Sequence, residues 1–186
     1  MDSIPLSTQL IVLGVLLVLS GFFSMAETAM MASNRFRLKA AAQNGSRGAQ
    51  RALDLLGQTD KLLGVILLFN NLINAAAATL TGVIAINLFG EGELALGLGT
   101  LLITFLILVF SEITPKVVGA GYANAIAPVV AFVLTPLLKV FYPVVWTVNL
   151  FVSALLRITR LQPGNTDEGQ TLSAEELRAL MTESGH

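Results

Sequence analysis

The sequence predicts an all-α integral membrane protein: three transmembrane helices with broken polar segments, plus juxtamembrane belt helices. Three observations lead there. Of 186 residues, 54% are apolar and 12% charged, where a soluble domain carries about 25% charge. The mean hydropathy is +0.76. Between residues 62 and 156 only Glu91, Glu93, Glu112, Lys116 and Lys139 are charged. That leaves uncharged runs of the length a bilayer core requires, about 20 helical residues.

The same composition excludes other classes. Lys and Arg number 11, Asp and Glu 12, for a net charge of −1. With no basic surplus to neutralise phosphates, no nucleic-acid partner is expected. Cysteine is absent, which removes disulfides, zinc fingers and thiol catalysis. The one histidine is His186, the last residue, which argues against soft-metal sites and Ser-His-Asp chemistry. No nucleophile is paired with a base, so no enzyme is expected.

The first span covers about 5–31. Its leader, Met1-Asp2-Ser3-Ile4-Pro5, carries no positive charge, so it reads as a retained span and not a cleaved signal peptide. Residues 32–61 hold Arg35, Arg37, Lys39, Arg47, Arg51 and Lys61. This segment reads as a cytoplasmic helical hairpin turning at Asn44-Gly45-Ser46; a cationic loop resting on anionic lipid is the alternative. Spans at 62–88 and 94–115 follow, joined by the acidic turn Gly90-Glu91-Gly92-Glu93. Basic residues favour the cytoplasm. The N-terminus and the acidic turn are therefore expected outside, and the tail beyond Arg157 and Arg160 inside. Parity then requires 120–160 to cross twice or not at all. Pro128, Pro136, Pro143 and Lys139 interrupt it, so juxtamembrane helices along the membrane face are expected, anchored by Tyr142 and Trp146. A hairpin crossing twice is the alternative. Residues 1–160 thus form the transmembrane domain. Residues 161–186 read as a linker and the start of a truncated cytosolic region, opened by Ser173 and Glu176 in capping-box spacing.

Polar residues inside spans are costly and face the protein interior. Three clusters stand out. In Ser20-Gly21-Phe22-Phe23-Ser24-Met25-Ala26-Glu27-Thr28, the hydroxyls of Ser20, Ser24 and Thr28 share one helix face. Small-residue packing is the structural alternative there. In Phe69-Asn70-Asn71-Leu72-Ile73-Asn74, Asn70 and Asn74 share a face, and interhelical hydrogen bonding is the alternative to ligand binding. In Ser111-Glu112-Ile113-Thr114-Pro115-Lys116, a Glu112–Lys116 ion pair is the structural alternative. Pro115, however, cannot donate to the Ser111 carbonyl, which frees a backbone oxygen beside a carboxylate. Gly119 and Gly121 allow the chain to unwind just beyond. All these donors are hard oxygens, which suit Mg²⁺, Ca²⁺ or Na⁺.

These three motifs, in this order and spacing, resemble the signatures of the transmembrane domain of the CorC/CNNM (cyclin M) family. The resemblance covers essentially the whole chain. It implies three spans, a helical belt, a homodimer in membrane lipid, and a bacterial inner-membrane location. It also implies Mg²⁺ export driven by Na⁺ entry. Carried onto this chain, the family's Mg²⁺ site falls on Ser20, Ser24, Asn70, Asn74 and Glu112, with backbone oxygens near Gly119. Family members continue into CBS domains that bind ATP, which agrees with a truncated tail. The alternative function is a membrane anchor and sensor that regulates another Mg²⁺ transporter.

Overall fold

The computed structural model describes residues 4–159, and these contain no strand. The linker and capping-box helix expected over 161–186 lie outside the described residues. The chain divides into two compact units, 1–145 and 146–186. Among the described residues, the second unit holds only the end of the last helix and Thr159.

α1 runs Leu6–Ala32. It begins after Pro5, which has no amide hydrogen to waste. α2, Arg35–Gln43, is capped by Asn34, whose side chain accepts from the amides of Phe36 and Arg37. α3, Arg47–Leu56, is capped by Ser46 accepting from Ala49. Between them Gly45 takes φ +93°, a conformation that suits glycine. α4 spans Thr59–Phe89 and ends at Gly90, φ +82°. α5, Glu93–Leu106, passes into a π-helical segment, Ile107–Ile113, and then into α6, Thr114–Gly121. α7 runs Ala123–Ile158.

Four helical stretches are long and apolar enough to cross a membrane: Leu6–Ala32, Thr59–Phe89, Glu93–Gly121 and Ala123–Ile158. By length and composition that is one more candidate than the three expected spans, the additional one being α7. Over 120–160, where several juxtamembrane helices were expected, α7 is one continuous helix with Pro128, Pro136 and Pro143 inside it. Each proline deletes one ladder bond. In apolar surroundings no water competes for the bonds that remain, so the helix carries through.

The contacts of α7 within the first unit fall at one end of α1 and α4. Asn124 Oδ1 accepts from the Asn34 amide, just past α1. A Cβ on Gly48 would stand 2.6 Å from the Pro128 carbonyl oxygen, so α3 and α7 touch backbone to backbone. Arg51 lies over the Phe132 ring and Lys61 over the Tyr142 ring. Phe141 packs edge-on to Phe69, and Val145 meets Gly64. The partners on α4 therefore lie within its first three turns. The buried residues Ala123, Ala127, Val130, Ala131, Leu134 and Leu138 form one helical stripe. Residues 123–145, the part of α7 in the first unit, thus pack against the basic end of α1, α3 and α4.

Candidate cation site

α1 and α4 are antiparallel, and side-chain pairs fix their register. Ser20 Oγ donates to Asn74 Oδ1 at 2.7 Å. Near the other end Asn87 Nδ2 donates to Gln9 Oε1 at 3.3 Å. Phe23 stacks on Phe69 with centroids 5.0 Å apart and planes 8° apart. One turn along α1 from Ser20 is Ser24, and one turn back along α4 from Asn74 is Asn70. The antiparallel register puts these two at the same level.

Both are buried, and each has an oxygen without a hydrogen-bond partner: Ser24 Oγ and Asn70 Oδ1. Among the described residues these are the only two such side-chain atoms. A buried oxygen left unpaired costs about 1–3 kcal/mol. Packing glue does not explain them, since glue forms the very bonds they lack. Ser20 and Asn74 are paired with each other, yet each oxygen keeps a lone pair for a further partner. Asn71 is exposed, so register separates it from Asn70 and Asn74.

The third wall comes from the π segment. Pro115 cannot bond back to the Ser111 carbonyl, and the strain is absorbed as π-helical turns over Ile107–Ile113. π turns are frequent at functional sites. Ser111 is fully buried and its Oγ donates to the Leu17 carbonyl at 2.9 Å, tying the segment to α1. Pro115, four residues on, is the sequence signal that points to Ser111; its bond to α1 is a tertiary contact that the motif alone does not show. A Cβ on Gly21 would meet the Phe110 carbonyl oxygen at 3.1 Å and the Pro115 ring at 3.2 Å. Further along, a Cβ on Gly119 would stand 2.6 Å from the Met25 carbonyl oxygen. α1 and the stretch 111–119 therefore run parallel and in close contact on either side of Ser24's level. Gly119 is a close-packing residue inside α6, and the helix ends only after Gly121.

Glu112 is partly exposed and pairs with Lys116 at 3.1 Å. Any cation that takes the Glu112 carboxylate competes with this ammonium. Glu27 and Thr28 line a separate pocket of about 400 Å³ that Lys116 also reaches. Among the described residues no three His, Cys, Asp or Glu are grouped as a metal site. The oxygens on hand are thus hydroxyls, carboxamides, backbone carbonyls and one carboxylate.

The model of the cyclin M transmembrane N-terminal domain matches residues 11–186. The chain belongs to that family. It is 44% identical over its whole length to a UPF0053 protein of Haemophilus influenzae, of which it covers 43%. It is 37% identical, over 89% of its length, to the UPF0053 inner membrane protein YfjD of Escherichia coli, covering 38% of that protein. It is 26% identical, over 89% of its length, to a polyamine export protein of Salmonella typhimurium, covering 39% of it. The chain spans less than half the length of these relatives.

Proposed function

We propose that the protein containing this chain is a Na⁺-dependent Mg²⁺ exporter of the bacterial inner membrane, working as a homodimer with its N-terminus outside and its C-terminus in the cytoplasm. The observation that carries the reading is the pair of buried, unpartnered oxygens on Ser24 and Asn70, at one level of α1 and α4. Each holds a lone pair, buried among packed helices, that a cation or a donor can use. Mg²⁺ gives up its waters reluctantly. A site that strips them must offer several oxygens at once, and Ser20, Asn74 and the Gly119 region stand beside the pair as further ligands. Glu112 supplies the negative charge that offsets dehydration. Na⁺ at or near the same oxygens weakens Mg²⁺ binding and favours release. The inner-membrane location rests on the four apolar helices and on the name of the E. coli relative.

A second reading takes its support from the name of the Salmonella relative. A polyamine is an elongated polycation and calls for carboxylates spread along a path. Within the four apolar helices the described carboxylates are Glu27, Asp60, Glu93 and Glu112, set apart on α1, α4, α5 and the π segment, and the unpartnered oxygens are neutral and compact. That chemistry favours a small inorganic cation.

The test is flux in proteoliposomes of the full-length protein, with Mg²⁺ or spermidine as cargo and with or without a Na⁺ gradient. Na⁺-dependent Mg²⁺ flux that is lost in Glu112→Ala is expected. Spermidine flux without Mg²⁺ flux assigns the polyamine reading. Mg²⁺ binding with no flux of either cargo assigns the anchor-and-sensor reading.

A further inference from the structure

A second cavity, lined by charged side chains, lies away from the cation site. It has a volume of about 490 Å³ and sits between α3, the start of α4 and the middle of α7. Arg51, Lys61 and Lys139 line it from these three elements, against one carboxylate, Asp54. Asp54 is turned to its own helix, where it accepts from Gln50 Nε2 at 3.0 Å. Among the described residues the single salt bridge joins Lys116 to Glu112. Arg51, Lys61 and Lys139 therefore share a cavity with no carboxylate paired to any of them.

Two of these cations are held in place without being neutralised. The Arg51 guanidinium stands 4.7 Å from the Phe132 ring centroid. The Lys61 ammonium stands 4.5 Å from the Tyr142 ring centroid. A ring face orients a cation but leaves its charge and its N–H donors available. α4 adds to the field: it has no side-chain cap at its N-terminus. Its first amides lie beside Gln58 and Lys61, with Asp60 in the same first turn offsetting part of the positive end of the dipole. Three cations on three separate elements line one cavity against the single carboxylate of Asp54, an excess of positive charge that favours an anion.

We propose that this cavity binds a phosphate group. Arg51 offers a planar fork suited to phosphate oxygens, and Lys61 and Lys139 offer point charges. Its setting supplies two sources. Val140 and Tyr142 on α7 beside it are exposed, at 68% and 41%, so acyl chains of an anionic phospholipid can lie against them while the headgroup enters. Free phosphate has the same chemistry without that apolar tail. The role that follows is anchoring: one phosphate ties α3, α4 and α7 together at the basic end of the bundle.

The experiment uses the purified full-length protein in nanodiscs of phosphatidylcholine with or without phosphatidylglycerol. Retained phosphatidylglycerol is read by native mass spectrometry. The triple variant Arg51→Gln, Lys61→Gln, Lys139→Gln is compared with Arg35→Gln, Arg37→Gln, Lys39→Gln, which removes equal charge from α2, away from the cavity. Each cavity cation removed is expected to cut retention about five-fold, while the α2 variant stays near wild type. A conservative set, Arg51→Lys, Lys61→Arg, Lys139→Arg, keeps retention and controls for folding. Equal loss in the cavity and α2 variants, or no loss in either, overturns the site. A parallel arm in detergent titrates inorganic phosphate at constant ionic strength and reads thermal stability. Stabilisation lost in the cavity variant assigns free phosphate as the source; retention of lipid alone assigns the headgroup.

Discussion

Gly119→Ala tests how tightly the site's third wall is pressed on α1. The added Cβ would stand 2.6 Å from the Met25 carbonyl oxygen, 0.8 Å short of an ordinary 3.4 Å contact. The obstacle is helix backbone, which has no soft side chain to swing aside. α6 must therefore move off α1, and overpacking of this kind costs about 1–3 kcal/mol. For about 150–250 residues each kcal/mol lowers Tm by about 2–4 °C, and by less in a longer full-length protein. The shift falls beside Ser24, so Mg²⁺ flux should drop together with stability. Gly121 provides the control: it lies two residues on in the same helix, and a Cβ there meets nothing within 4 Å. Gly121→Ala should leave Tm and flux near wild type. Thermal unfolding and flux on both variants of the full-length protein make the comparison. Equal behaviour of the two variants would refute the close-packing argument.

Other expectations follow from the same geometry. Ser24→Ala removes an unpartnered buried hydroxyl, so stability should hold or rise slightly while Mg²⁺ binding by calorimetry falls at least ten-fold, about 1.4 kcal/mol. Ser20→Ala breaks its bond to Asn74, so it should lower stability as well, by about 0.6 kcal/mol. Asn70→Ala should abolish flux, and Asn71→Ala, at an exposed position, should leave it intact. Glu112→Gln loses a half-exposed ion pair worth about 0–1 kcal/mol at most, yet should lose nearly all flux; a fully active Glu112→Gln would remove the carboxylate from the account.

Much of this was legible in the residues. The i, i+4 spacing of Ser20 with Ser24, and of Asn70 with Asn74, put the oxygens on common faces, because helix periodicity is local. Which of them pair was not legible. That Ser20 bonds Asn74 while Ser24 and Asn70 keep free oxygens depends on the register between α1 and α4, and register is tertiary. Pro115 announced a freed Ser111 carbonyl, but not that the chain would answer with a π segment instead of a break. Gly119 read as an unwinding signal and stands instead as a close contact with Met25. The largest departure is α7. Three prolines argued for interruption by the rules of water-exposed helices, and an apolar setting relaxes those rules. The phosphate cavity was hidden as well, since Arg51, Lys61 and Lys139 meet only once α7 folds over α3.

The most direct measurement is a structure of the full-length protein in membrane with Mn²⁺ in place of Mg²⁺, located by anomalous scattering. The account predicts a peak between α1 and α4 within coordination distance, about 2.0–2.2 Å, of Ser24 Oγ and Asn70 Oδ1. A bound ion elsewhere in the bundle, with those two oxygens still unpartnered, would contradict it.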